Sequence, residues 1–272
     1  MKSAPLIEIL HKLYPDLPRK ELYARIMCGE VFINGECIRD PKQRVKQTVK
    51  PVFQSRRYVS RGGLKLEAAL KRWDLPVGEK VFVDAGASAG GFTDCLLQYG
   101  ARLVHAVDVG YNQLDYRLRQ DRRVRVHERT NVMSVSRFDP MPDAAVADLS
   151  FRTIRKAAAH LLSITLEGWM VALVKPQFEI DADDEEDFSG IVRSADSLRK
   201  VLLQVASGLD EEGVEVLGII PSPITGRRGN REFLFYLKTG QDILPRETAG
   251  RNDILRESLV EEALDELQKL KL

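Results

Sequence analysis

The sequence predicts an α/β protein: a doubly wound, mostly parallel sheet with one antiparallel edge strand, preceded by a small N-terminal α/β module. Three observations support that expectation. From residue 59 onward, apolar runs alternate with amphipathic helical stretches, the pattern of strands buried on both faces of a parallel sheet. The last two apolar runs are joined only by SPITGRRGN (222–230), a hairpin-like connection too short for a helical crossover. Residues 1–57 hold twelve lysines and arginines against six acids, a local net charge of +6 in a 272-residue chain whose overall charge is +1. The first segment is therefore a separate, basic unit.

That unit, residues 1–50, opens with LIEILHKLY (6–14), apolar at helical spacing and broken by P-D-L-P at 15–18. RKELYARIMCG (19–29) is the second helix, with Leu22, Ile26 and Tyr23 inward and Gly29 as its stop. VFINGECI (31–38) gives two short strands around Asn34-Gly35, a hairpin-turn dipeptide, and Arg39, Lys42, Arg44 and Lys46 trail from it. A basic helix pair followed by such a hairpin resembles the RNA-binding domain of the ribosomal-protein-S-four type. Arg19, Lys20, Arg25, Lys42 and Arg44, with Arg61 beyond the module, are the expected RNA contacts. Such domains begin with an Arg-Leu-Asp-like triplet, whereas this chain has Pro5-Leu6-Ile7.

Residues 51–59, starting at Pro51, read as a linker. The main domain, 60–245, takes its strands from 81–86, 102–110, 123–129, 144–150, 168–175, 214–221 and 232–238. Helical stretches such as FTDCLLQYG (92–100) and LRKVLLQVASG (198–208) lie between them, giving a Rossmann-like order. The tail, 246–272, is an amphipathic helix with Ile254, Leu255, Leu259, Ala263, Leu267 and Leu270 inward. It either packs on the domain or forms a dimer contact, and the oligomeric state stays open.

Composition narrows the classes. The chain is 44% apolar and 30% charged, as ordinary globular proteins are. Its longest apolar runs, such as WMVALV (169–174), are far short of a membrane span, and MKSAPLIEILHKLYPD lacks the features of a secretory signal. Cys28, Cys37 and Cys95 form no C-x-x-C pair; they are expected as small buried hydrophobes in a reducing cytoplasm.

The chemistry centres on DAGASAGGFTD (84–94), a strand followed by a glycine turn. Gly86, Gly90 and Gly91 depart from the dinucleotide G-x-G-x-x-G spacing and fit S-adenosylmethionine better than NAD. Asp84 stands at the strand end, and Asp108 ends the next strand, where a carboxylate can pair with ribose hydroxyls. Lys65, Asp148, Lys175 and Glu232 lie in separate short motifs, the last three at or beside strand ends. Two lysines and two carboxylates beside a cofactor cleft can activate a hydroxyl. Lys175 is the expected base, Lys65 its cationic neighbour, and Asp148 and Glu232 hold the ammonium groups.

The run RRYVSRGGLKLEAAL, then DAGASAGGFTDCLLQYGA, DVGYNQL, ERTN, ADLSF, VKPQFE and SPITGRRGNREF, closely resembles the TlyA family. Its members are labelled haemolysins and characterised as ribosomal-RNA 2′-O-methyltransferases. The resemblance covers nearly the whole chain to about residue 240. It implies an FtsJ-type methyltransferase domain using S-adenosylmethionine, an S-four-like domain, and a Lys-Asp-Lys-Glu tetrad at Lys65, Asp148, Lys175 and Glu232. It implies cofactor contacts that also include Ala87, Ser88, Phe92, Val109 and Asn131. The implied partner is ribosomal RNA or a ribosomal subunit, modified on a cytidine ribose, and no membrane. Arg56-Arg57-Tyr58-Val59 matches the family's short interdomain linker.

The chain departs from the family's pattern in places. Met133 stands for an arginine and Ala89 for a threonine, and DADDEED (181–187) puts six carboxylates where the family tends to be basic or glycine-rich. A different class, an rRNA-binding or assembly protein without turnover, is the competing expectation; a membrane-active haemolysin is the third.

Overall fold

The computed structural model describes residues 3–27, 29–46, 48–53, 57–150, 153–180, 192, 194–226, 229–240 and 249–270. The expectations for Cys28, Arg56 and the acidic run 181–187 lie outside these residues.

The N-terminal module contains β1 (Ser3–Pro5), α1 (Leu6–Leu13), α2 (Arg19–Met27), β2 (Val31–Ile33), β3 (Glu36–Ile38), β4 (Arg44–Lys46) and β5 (Val52–Phe53). The β2–β3 hairpin turns through Asn34 at φ 51° and Gly35 at φ 84°, both left-handed, as a two-residue turn of the twist-compatible type requires. Leu6, Leu10, Leu22, Ile26 and Val31 are fully buried and form this module's own core. Tyr23, expected inward, is 43% exposed. Leu22 and Ile26, four residues apart, already fill the inward face, and the neighbouring position points out. The stretch read as a linker contributes β5, whose Phe53 and Val52 pair with Val31 and Phe32 on the open side of β2. An aromatic and a β-branched residue there complete the sheet rather than span a gap.

The seven-stranded sheet of the main domain has the order β11-β12-β10-β9-β6-β7-β8. Its strands are β6 (Val81–Ala85), β7 (Leu103–Asp108), β8 (Val124–Glu128), β9 (Ala144–Ala147), β10 (Trp169–Val174), β11 (Val214–Pro221) and β12 (Phe233–Thr239). Pairs from β10 through β8 are parallel, while β12 runs antiparallel to both β10 and β11. The antiparallel strand expected at this edge is thus β12, one place in, with β11 outermost.

Alternation along each strand divides the interior in two. Phe82, Val146 and Val171 face α3 (Gly62–Arg72) and α4 (Gly91–Gln98), whereas Val83, Ala145 and Ala172 face α6 (Ile154–Ser163) and α7 (Ala195–Glu211). Each fully buried large side chain contributes roughly 1.5–3 kcal/mol. The last helix, α8 (Ala249–Lys269), packs on β11 and α7 through buried Val260, Ala263 and Leu264, with Leu259 and Leu267 beside them. Ile254 and Leu255, expected in its inward stripe, are 72% and 49% exposed. Residues 260, 263, 264 and 267 make a complete stripe by themselves, so the earlier pair is left on the solvent side.

One topological feature positions the site. From β6 the chain adds β7 and β8 on one side; β9 and β10 then lie on the other. The order reverses between β6 and β9, and crevices at such points, beyond the C-terminal strand ends, hold ligands in open α/β sheets.

Candidate functional site

Beyond those strand ends lies a cavity of about 1010 Å³. Ala85 and Ala147 are register partners, so the residues that follow them, Gly86 and Asp148, meet at its floor. The approach is close: a β-carbon on Gly86 would fall 2.5 Å from the Asp148 carbonyl oxygen, and Gly86 is left-handed at φ 83°. Only glycine fits there. Ser88, also left-handed at φ 48°, is held by its backbone N–H donating to Asp108 Oδ2 at 2.8 Å. Gly110 N–H donates to Asp108 Oδ1 at 2.6 Å. The Asp108 carboxylate therefore braces the turn, and each oxygen retains acceptor capacity toward the cavity.

Of the expected cofactor residues, Gly86, Ala87, Ser88, Gly91, Phe92, Asp108, Val109 and Asn131 line the cavity. Asp84 and Gly90 do not. Gly90 faces Leu114 and Leu118, which would crowd any β-carbon at this position. Asp84 is fully buried, and its Oδ2 accepts from Thr93 Oγ1 at 2.6 Å while Oδ1 has no hydrogen-bond partner. Burial pushes its carboxyl up to about 7, with the nearby Asp148 and Asp108 carboxylates adding to the rise and the Thr93 bond opposing it.

The four residues singled out by their motifs all line this cavity. Lys65 lies on α3, Lys175 directly after β10, Asp148 directly after β9 and Glu232 directly before β12. Val174 pairs with Phe233 across β10 and β12, which brings Lys175 and Glu232 to the same end of the sheet. They form two ion pairs. The Lys65 ammonium bonds Glu232 Oε2, with side chains 11% and 5% exposed. The Lys175 ammonium lies 2.5 Å from Asp148 Oδ1, and its hydrogen bonds go to Leu149 O at 3.1 Å and Ser150 Oγ at 3.0 Å. The Asp148 contact is charge against charge rather than a directed hydrogen bond, since Oδ1 makes none. Two cations kept neutral overall by two anions in a sheltered cleft can orient and polarise an incoming hydroxyl.

Sequence reading missed several lining residues, among them Ser60, Gln113, Ser150, Gln177, Phe178 and Asn230. Ser150 and Gln177 sit inside ADLSF and VKPQFE, so the motifs contained them, yet a neutral polar side chain carries no signal of its own.

The expected RNA contacts divide. Arg19, Lys20 and Lys42 are exposed. Arg25 is engaged by Glu21 at 2.7 Å and lies over the Phe53 ring at 4.9 Å. Arg44 donates to Ser3 O at 2.6 Å. Arg61 is exposed and alone of the six reaches the cavity rim. Within the linker motif, Tyr58 and Val59 are buried, and Val59 N–H donates to Asp94 Oδ2 at 2.7 Å.

These features fit S-adenosylmethionine. The glycine turn gives bare backbone at the cavity wall, Asp108 offers a carboxylate to hydroxyls, and Val107, Val109, Val132 and Met133 give an apolar surface.

The FtsJ-like methyltransferase family matches residues 58–239 of the chain. Over 259 residues the chain is 41% identical to YqxC of Bacillus subtilis, covering 93% of this chain and 91% of that protein. Over 230 residues it is 36% identical to TlyA of Mycobacterium tuberculosis, named as a 16S/23S rRNA (cytidine-2′-O)-methyltransferase, covering 82% and 85%. A solved structure of a hemolysin-named protein from Streptococcus thermophilus aligns with a TM-score of 0.69 at 36% identity, covering 99% of this chain and 98% of its own.

Proposed function

The chain belongs to the FtsJ-like methyltransferase family, in the group that includes TlyA, and from that premise we propose that it methylates a cytidine 2′-hydroxyl of ribosomal RNA. As a member it is an S-adenosylmethionine-dependent methyltransferase; the RNA substrate, the cytoplasmic setting and the residue roles are the proposal. The observation that supports it most is the convergence of Lys65, Asp148, Lys175 and Glu232, from four distant segments, on one cavity beside the glycine turn.

S-adenosylmethionine, when bound, supplies an electrophilic methyl group open to in-line attack. The chain's residues do the rest. Asp108, Asn131 and the turn from Gly86 to Phe92 hold the cofactor, with Asp108 keeping Ser88 and Gly110 preorganised. Lys175 takes the proton of the ribose hydroxyl. In the resting arrangement its ammonium is shared among Asp148, Leu149 O and Ser150 Oγ, so one proton must leave before the amine can accept another. Asp148 then keeps the amine oriented. Lys65, held by Glu232, is the second cation and stabilises negative charge growing on the attacking oxygen.

The basic N-terminal module grips the RNA through phosphate contacts, led by exposed Arg19, Lys20 and Lys42. Incubation with S-adenosylmethionine and unmodified ribosomal subunits, followed by digestion of the RNA to nucleosides, tests the reading. 2′-O-methylcytidine is the expected product. Methyl on a base, or none on either subunit or on free rRNA despite cofactor binding, would overturn it.

A further inference from the structure

A contact between the two modules ends at the cofactor turn. Arg117 lies on α5 (Tyr116–Gln120) and donates from Nη1 to Oε1 of Glu30, in the N-terminal module, at 2.7 Å. Beside it, the Tyr23 and Tyr116 rings meet edge to face at 6.4 Å. The Glu30 side chain is 12% exposed and that of Arg117 44%.

α5 is five residues long, too short to hold its own shape. Its order comes from braces: Asp115 Oδ1 caps its start by accepting from Arg117 N–H at 3.0 Å, and Arg119 pairs with Glu128. The Glu30 bond, with the Tyr23–Tyr116 ring contact beside it, braces the helix from outside the catalytic domain. What α5 in turn supports is the glycine turn. Asp115 N–H donates to Ala89 O at 3.2 Å. Leu114 and Leu118 press on Gly90, so closely that a β-carbon there would fall 2.8 Å and 2.2 Å from their Cδ1 atoms. Gln113, just ahead, lines the cavity and meets Ser88 Oγ at 3.3 Å.

We propose that Glu30 is a positioning residue for the cofactor: through Arg117 it fixes α5 and the turn 86–91, so that S-adenosylmethionine binds most tightly when the N-terminal module is seated. The inference rests on the reading of this cavity as the S-adenosylmethionine site. Arg117 is too exposed for the ion pair to add much stability in itself. The effect is on geometry: the pair selects one position of a short helix that forms the back of the turn. Linkage makes it reciprocal, so bound cofactor also favours the seated module and with it the arrangement the RNA meets.

The test is calorimetric titration of S-adenosylmethionine into the full chain and into Glu30→Gln, Arg117→Gln, the double variant and Arg117→Lys. Each single glutamine variant is expected to bind about 5- to 20-fold more weakly. The double variant should be no worse than the weaker single, because both lose one shared contact, and Arg117→Lys should recover part of the loss. Affinity for an unmodified rRNA fragment, measured without cofactor, should stay within about twofold of wild type. Thermal unfolding of the ligand-free variants checks that they fold; should Glu30→Gln not, Tyr23→Ala breaks the neighbouring contact with Tyr116 and is expected to weaken cofactor binding in the same direction. Unchanged cofactor affinity in the single variants, or losses that simply add in the double, would overturn the proposal while leaving the site intact. Failure of the wild-type chain itself to bind S-adenosylmethionine would instead overturn the cavity's assignment.

Discussion

The two ends of the cavity are built by opposite means. The end proposed for the cofactor is mainly backbone: a turn from Gly86 to Gly91, near-contiguous in sequence, with one carboxylate, Asp108, bonded to the N–H groups of Ser88 and Gly110. The tetrad end is all side chain, gathered from residues 65, 148, 175 and 232 and held as two lysine–carboxylate pairs. A backbone site is sensitive to conformation and tolerant of charge; a side-chain site is the reverse. Binding and chemistry should therefore fail separately when each end is altered.

The largest expected effect is at the tetrad. Lys65→Met or Glu232→Gln should lower methyl transfer by about 10²–10³-fold, with cofactor affinity within about threefold of wild type, as read by labelled transfer beside calorimetry. Equal loss of both would mean that the two ends are one unit. Gly86→Ala comes next and strikes the other end. The left-handed φ penalises a β-carbon by about 1–2 kcal/mol, and the Asp148 carbonyl 2.5 Å away has to move. Cofactor affinity should fall by about tenfold or more, with a lower Tm. Asp108→Asn should be milder, about fivefold in cofactor affinity, because an amide oxygen replaces only one of two acceptors.

The smallest effect is on stability against pH. Asp84 titrates near 7 when folded but near 4 when unfolded. Between those values the folded chain holds a proton that the unfolded chain has lost, so this group's stabilisation is complete below about pH 4 and falls as pH rises through 7. Asp84→Asn keeps an acceptor for Thr93 and should flatten that decline in Tm across the window. An unchanged slope would show that the buried carboxyl does not titrate there.

The same contrast decides what the sequence made legible. Local devices were readable because their physics is local: the Asn34-Gly35 hairpin, the glycine turn, and the acid ending β7. The tetrad residues were recognisable as motif residues at strand ends, but their pairing depends on the Val174–Phe233 register, which no periodicity encodes. Periodicity fixes a face, not a partner. Hence helical spacing places Ile254 and Leu255 in a stripe that α8 completes without them, and Tyr23 in a core already filled. Asp84 and Gly90 belong to the readable motif yet stand behind the wall, because a strand residue points toward the helix above it and Gly90 toward α5. β5 hid in a linker because two residues are too few to show alternation.

As the proposed base, Lys175 serves chemistry and not cofactor binding. The direct measurement is S-adenosylmethionine affinity and labelled methyl transfer to unmodified ribosomal subunits, taken in parallel on wild type and Lys175→Ala. A Kd within about threefold of wild type and transfer reduced by about 10³-fold or more are expected. Transfer near the wild-type rate in Lys175→Ala, or a Kd that collapses together with the activity, would contradict that role.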